Sequence, residues 1–256
     1  MAWEMTATRA WRRATTAIRE RKPNPLPRQC EICQCWSAVS LCADCLQRFA
    51  PKTVRCSGCA LPRHGLTASD GLRCGACLHE PPPWDGCVAA VDYGFPWDDL
   101  IGRFKFGQRS DLAVPLADVL RRALPEASLA NLAKAVITAV PLSDQRLAER
   151  GFNQAWELAR RIASAVGLPA EPALLLRCRD TPHQVGLDRK ARQRNLRQAL
   201  MAHSDKRGAI AGLDIVVVDD VMTTGITAQA VTLALRQAGA KSVRFWVLAR
   251  TLPGGG

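Results

Sequence analysis

Residues 215–227 read IVVVDDVMTTGIT. Four apolar, mostly β-branched residues run into Asp219 and Asp220, and Thr224-Gly225 follows four positions on. The run reads as a buried strand. Adjacent carboxylates repel, and a fold keeps them where water, a cation or a ligand's hydroxyls meet them. Ligands of open parallel sheets sit beyond the carboxyl ends of strands, so the pair marks a site. A helix starting at Gly225 leaves the amides of 223–227 facing the turn, lined by the hydroxyls of Thr223, Thr224 and Thr227, which makes an anion cradle. The carboxylates beside it suit vicinal hydroxyls, or a Mg²⁺ held by those hydroxyls. A phosphate next to a diol is a ribose 5-phosphate. Neither G-x-x-x-x-G-K-[ST] nor G-x-G-x-x-G is present, which excludes the P-loop and dinucleotide patterns. A receiver domain can pair its acids but lacks this Thr-rich turn.

The flanking texture sets the frame. VAAVDY (88–93), helical candidates across 97–124, AVITAVP (135–141), a helical pattern over 153–166 and ALLL (173–176) come first. After a basic stretch through 207 come IVVVDD, a helix from Gly225 to about Ala238, and SVRFWVLA (242–249). Near-continuously apolar strands alternating with helices predict an α/β domain, a parallel sheet covered on both faces. There is no internal repeat, and the GGG at 254–256 reads as a frayed tail.

Eight of the eleven cysteines form four Cys-x-x-Cys pairs: Cys30/Cys33, Cys42/Cys45, Cys56/Cys59 and Cys74/Cys77. Two intervening residues let both sulfurs of a pair reach one tetrahedral ion at ~2.3 Å, and two pairs complete a Cys₄ site. The spacing predicts a double zinc ribbon with two structural Zn²⁺ and no open position for a catalytic water. A disulfide framework needs an export signal, and none is found. Sequential and interleaved pairing are both open, Cys35 is an alternative to Cys33, and His64 and His79 are competing ligands. The segment is too poor in large apolar residues to fold alone, so metal binding supplies its folding free energy, ~10–16 kcal/mol per site in zinc-finger peptides. Cys87 and Cys178 read as small buried hydrophobes. HEPPPWDG (79–86) ends the cysteine region as an extended linker.

The formal charge is +12; eight thiolates and two Zn²⁺ lower it by four, to +8. Such a surface is either simply solvated or turned to phosphate-bearing partners. No apolar run approaches the ~18 residues of a membrane span. The first 22 residues read as an amphipathic helix with Trp3, Ala7, Trp11, Ala14 and Ile18 on one face rather than a secretory signal. A cytoplasmic protein without membrane contact is expected.

IVVVDDVMTTGIT resembles the phosphoribosyl-diphosphate (PRPP) signature of type I phosphoribosyltransferases: a hydrophobic strand, two acids, then T-T-G-x-T. Four knuckles, PPPW (81–84), IGRFKFGQRSDLA (101–113), VPLSDQRLAERGFNQ (140–154) and DTPHQVGLDRKARQRN (180–195) together resemble the ComF/GntX-like family over residues 30–252. That resemblance implies a double zinc ribbon (29–80) before a type I phosphoribosyltransferase-like sheet domain (87–252), with 1–28 as a basic extension, 81–86 as linker and 253–256 as tail. It implies Mg²⁺-dependent displacement of pyrophosphate from PRPP by a nitrogen acceptor, linked to uptake or use of external DNA. Asp219 and Asp220 would carry catalysis, and Val221, Met222, Thr223, Thr224, Gly225, Ile226 and Thr227 would bind PRPP. VPLSDQR would be the pyrophosphate turn, with Arg146 and Arg150 on the diphosphate through their two-pronged guanidinium groups. Lys105 would reach a phosphate from the first helix, or snorkel. The stretch 177–197, with Gln184, Arg192 and Asn195, would be a hood closing over the site, or a solvated helix; His183 is its candidate acid or base. The chain departs from the 6-oxopurine enzymes at Thr223, where they carry an acid, and so looks more like the orotate type. The alternative is a zinc-ribbon nucleic-acid binder, with single-stranded DNA or DNA-processing proteins as partners and the transferase fold as a non-catalytic nucleotide or PRPP module. An aromatic share of 5% weighs against it, since single-strand binders rely on stacking.

Overall fold

The computed structural model describes residues 27–63, 65, 73–126, 129, 132, 134–177 and 200–253. The expected N-terminal helix, the candidate hood residues His183, Gln184, Arg192 and Asn195, His64 and Cys178 lie outside the described residues. Two compact units divide the chain, Met1–Ala43 and Asp44–Gly256. In the first, β1 (Arg28–Gln29) pairs antiparallel with β2 (Trp36–Ser37). The turn between them needs Gln34 at a positive φ of 60°. Next along the chain come two short helices, α1 (Ala43–Phe49) and α2 (Gly75–His79).

The core of the second unit is a parallel sheet. Its strands are β3 (Gly86–Asp92), β4 (Val136–Ala139), β7 (Asp214–Met222) and β8 (Ser242–Arg250), in the order β3-β8-β7-β4. All neighbours are parallel. The apolar runs are why: Val216, Val217, Val218, Val247 and Leu248 are completely buried, as strands covered on both faces require. Each such side chain contributes roughly 1.5–3 kcal/mol relative to exposure.

Between β3 and β4 lie α3 (Trp97–Phe106) and α4 (Ala113–Ala123). Between β4 and β7 run α5 (Asp144–Arg150), α6 (Gln154–Val166), β5 (Leu175–Arg177), β6 (Leu200–Ala202) and the single turn α7 (Arg207–Ile210). The helix α8 (Ile226–Gln237) joins β7 to β8. The apolar stripes Leu116/Leu120 of α4 and Leu158/Ile162 of α6 are buried, and these helices pack on each other and on the sheet. α8 packs against β8 and the β5–β6 pair. ALLL does form a strand, but its last residues pair antiparallel with β6 outside the parallel sheet. The outer edge of β4 instead meets the chain at Ala170, with Ile137 N–H donating to Pro169 O at 2.9 Å.

The predicted α/β fold is therefore present. Strands β4 and β7 lie side by side, Ala139 opposite Val218. The turn after β4 thus emerges beside Asp219.

Candidate functional site

The eight paired cysteines form two tetrads, Cys30/Cys33/Cys42/Cys45 and Cys56/Cys59/Cys74/Cys77, with all sulfurs of each within 4.8 Å of one another. Pairing is sequential. Zinc–sulfur bonds of ~2.3 Å in a tetrahedron put sulfurs ~3.8 Å apart. Cys33 and Cys42 are 3.7 Å apart, as are Cys59 and Cys74. The donor set and spacing fit two zinc ions. Cys35 stands outside the first tetrad, and its carbonyl accepts the Cys30 amide at 2.9 Å. His79, at the end of α2, joins neither group.

The amides are arranged for thiolates. The third cysteine of each tetrad donates its N–H to the first, Cys42 to Cys30 Sγ at 3.4 Å and Cys74 to Cys56 Sγ at 3.2 Å. Burial raises the Cys30 thiol, but the amides of Cys42, Cys33 and Ile32 outweigh it and bring it down to about 6. Cys56 behaves alike: burial opposes and the amides of Cys59, Cys74 and Gly58 prevail, again to about 6. Burial and the neighbouring sulfurs push Cys59 up to about 11 and Cys77 higher still. Without a cation four thiolates cannot coexist. A bound Zn²⁺ removes that conflict.

At the other centre, β7 continues through both acids to Met222. The Asp220 amide donates to Asp219 Oδ1 at 2.9 Å. Lys105, on the last turn of α3, holds Asp220 Oδ1 at 3.1 Å. Burial and the Asp220 charge push the Asp219 carboxyl up to about 7, against the pull of Lys105, its hydrogen bond from the Asp220 amide, and Arg177. Here the strand carries charge that the fold would rather neutralise, which suits a site awaiting a partner.

After Met222 the chain turns. Gly225 takes a left-handed φ of 79° and N-caps α8 with no side-chain cap, so the first amides of the helix have none of the usual side-chain acceptors. Thr223 and Thr224 are exposed, whereas Val221, Ile226 and Thr227 are half-buried. Met222 turns inward, its sulfur accepting from Cys87 Sγ at 3.8 Å, so any ligand meets its backbone rather than its side chain. Cys87 is a buried hydrophobe, its thiol pushed up to about 12 by burial.

Opposite the acids, Ser143 caps α5 by accepting the Arg146 amide at 3.4 Å. Gly151 ends that helix in the left-handed region at φ 77°. The Asn153 side chain caps α6 and donates to Val140 O at 3.1 Å, tying the turn after β4 to α6. Arg150 donates to Gln154 Oε1 at 3.1 Å and lies 5.0 Å over the Phe106 ring. Burial lowers the Arg150 guanidinium, as does Arg146, while Asp220, Glu149 and Asp219 act the other way. Asp219, Asp220, Lys105, Arg146 and Arg150 therefore share one electrostatic neighbourhood at the carboxyl ends of β4 and β7. No helix among the described residues is long and apolar enough to cross a membrane.

Residues 148–254 match the family described as "Phosphoribosyl transferase domain". The chain is 34% identical over 235 residues to "DNA utilization protein YhgH" of Salmonella typhimurium, covering 89% of this chain and 99% of that protein. It is 32% identical over 206 residues to "Competence protein F" of Haemophilus influenzae, covering 76% of this chain and 90% of that one. The chain belongs to the ComF family. Among solved structures it aligns at 22% identity and a TM-score of 0.38 with "glutamine phosphoribosylpyrophosphate (PRPP) amidotransferase from B. subtilis complexed with ADP and GMP", over 57% of this chain and 30% of that chain.

The structure of this ComF family chain adds residues that the motifs alone leave out. Arg177, at the end of β5, acts on Asp219. Phe106 is 74% exposed beside Arg150. Trp84, in the Pro-rich stretch, is buried, and so is Arg250 at the end of β8. A shared sign existed for one of them: an aromatic after three prolines is a poor residue for a solvated spacer.

Proposed function

We propose that this chain binds PRPP and transfers its ribose 5-phosphate to a nitrogen acceptor. The observation that carries the reading is the pair Asp219–Asp220 at the end of β7, running into the N-terminus of α8 that no side chain caps, together with Arg146 and Arg150 on α5, the helix after the β4 turn. The 5-phosphate sits on the amides and hydroxyls of 223–227. Asp219 and Asp220 accept hydrogen bonds from the ribose hydroxyls. Arg146 and Arg150 pair with the diphosphate, and Lys105 leaves Asp220 for a phosphate oxygen when the ribose takes its place.

In the reaction the bond from C1 to the pyrophosphate oxygen breaks and its electrons leave with pyrophosphate. The acceptor nitrogen forms the new bond to C1 and gives up one proton. Mg²⁺, when bound, supplies charge neutralisation of the diphosphate; the hydroxyl-facing carboxylates are the groups suited to organise it. The arginines stabilise charge as it develops on the leaving group. Thr223 in place of an acid turns the site away from 6-oxopurine acceptors. The names of the relatives bring DNA utilisation to the chain as its context.

Calorimetry with Mg²⁺ and PRPP on the zinc-loaded protein tests this. Saturable binding that disappears in Asp219→Asn/Asp220→Asn is expected. A folded, zinc-replete wild type that binds no PRPP overturns the reading.

A further inference from the structure

The second cysteine knuckle offers four consecutive carbonyls: three are taken by the phosphoribosyltransferase-like sheet or its approach, and the fourth by Arg55 of the knuckle itself, which pairs with Asp92 of β3. Ser57 O accepts the Cys87 amide at 2.8 Å on β3, an edge strand of the sheet. Gly58 O accepts Trp84 Nε1 at 2.6 Å. Cys59 O accepts Arg250 Nε at 2.7 Å, and Ala60 O accepts Arg55 Nη1 at 3.2 Å. Covering an edge strand explains the first contact. It does not explain the next two.

Both of those side chains go on to the loop after β7. Arg250 Nη1 donates to Met222 O at 3.0 Å, to Thr223 O, and to Thr251 O at 2.7 Å. Trp84 lies against Gly225, where an added Cβ would stand 3.1 Å from its ring. The left-handed φ and the indole both demand glycine there. Arg250 is a buried cation with no carboxylate in ion-pair range among the described residues. A buried cation needs a counter-charge. Sulfurs of the second tetrad lie beside it, Cys59 and Cys77 among them, and a zinc ion held there by four thiolates would carry a net charge of −2.

We propose that Arg250, seconded by Trp84, is a positioning residue that makes the second zinc tetrad part of the phosphate loop. The tetrad fixes the carbonyls of Gly58 and Cys59, Arg250 and Trp84 read those carbonyls, and their other ends fix the backbone of 222–225. The consequence for PRPP rests on the reading of the previous section; the coupling of knuckle to loop does not.

The test is hydrogen exchange on the full chain in three forms: with two zinc ions, with the second tetrad emptied by Cys74→Ser/Cys77→Ser, and as Arg250→Met with zinc. Amides of 222–227 are expected to exchange at least tenfold faster in the last two, while 214–218 remain protected. Arg250→Met should keep two zinc ions per chain. Unchanged exchange in 222–227 in either form overturns the proposal. Should Arg250→Met lose the sheet, Arg250→Lys decides, since it keeps the charge but not the fork: faster loop exchange with 214–218 protected supports the coupling, and wild-type exchange overturns it.

Linkage adds a readout that packing alone would not move. Mg²⁺–PRPP should slow zinc loss from the second tetrad to a chelator severalfold in the wild type and not in Arg250→Met. PRPP that binds the wild type yet leaves zinc loss unchanged overturns the proposal. PRPP that does not bind at all sinks the transferase reading, while the exchange result still decides the coupling.

Discussion

The two tetrads have the same ligands, the same 3.7 Å sulfur edge and the same amide from third cysteine to first. Their backbones do different things. In the first knuckle, Cys30 N–H turns back to Cys35 O, Glu31 N–H to Ser40 O, and Arg28 reaches Ser40 Oγ at 3.3 Å. In the second, carbonyls 57–59 are given to Cys87, Trp84 and Arg250, outside the knuckle. Metal chemistry sets the shape of a knuckle. What the carbonyls do afterwards sets whether it is a local clasp or a wall of another site.

The largest effect should separate the two. Cys74→Ser/Cys77→Ser should lower the melting temperature by about 10 °C or more, the scale of ~4 kcal/mol in a domain of this size. It removes a metal site, the counter-charge of Arg250 and the cover of β3 together. Cys30→Ser/Cys33→Ser should raise exchange in 28–42 and leave 214–218 protected. Calorimetric melting and exchange of the two variants check both. A sheet equally destabilised by either would erase the contrast.

Gly225→Ala comes next. A left-handed φ costs an L-residue roughly 1–2 kcal/mol, and the Cβ also presses on Trp84. Loss of about 2–3 kcal/mol by denaturant melting is expected. In Trp84→Phe the steric part should shrink, so the pair should be non-additive by ~0.5 kcal/mol or more. Strict additivity would mean that the indole does not bear on the loop.

Asp219 sharpens a second contrast, between stability and binding. Its carboxyl is pushed from 3.8 up to about 7 in the folded chain. Between those values the folded state holds a proton that the unfolded state has released, so stability falls as pH rises through that window. Asp219→Asn cannot ionise and should escape the loss, melting a few degrees higher than wild type at pH 8, on the scale of ~1 kcal/mol, and no higher at pH 4. PRPP affinity should run the opposite way, since ribose hydroxyls need the ionised form. It should strengthen as pH rises toward 7 and level off above. Melting and calorimetric titrations across pH 5–8 check both signs.

Much of this is legible in the sequence alone. IVVVDD and SVRFWVLA are buried runs whose residue types admit little but a central strand, and four Cys-x-x-Cys pairs admit little but two metal sites. Sequential pairing was not legible, because Cys-x-x-Cys spacing is the same in either arrangement. ALLL joined an antiparallel pair because a short apolar run does not say which sheet it enters. Arg250 and Trp84 were illegible for a different reason. Arg250 meets Cys59 across 191 positions of sequence, and no local period records such a bond. Trp84 stood in a stretch whose three prolines read as a spacer. Partnerships that bring a site's walls together are long-range, and those that make its strands are local.

Cys35 gives the smallest effect and the cleanest check on the first knuckle. It is exposed and stands outside the tetrad, although spacing alone made it an alternative to Cys33. What it supplies is its carbonyl, which accepts the Cys30 amide whatever the side chain. Cys35→Ser should therefore keep two zinc ions per chain and change stability by no more than ~0.5 kcal/mol, the range of surface substitutions away from special features. Cys33→Ser should lower zinc stoichiometry toward one. Elemental analysis of the two purified variants decides. If Cys35→Ser loses the ion and Cys33→Ser keeps it, the tetrad is drawn through the wrong thiol, and the correspondence between the two knuckles that underlies the comparison fails at its first position.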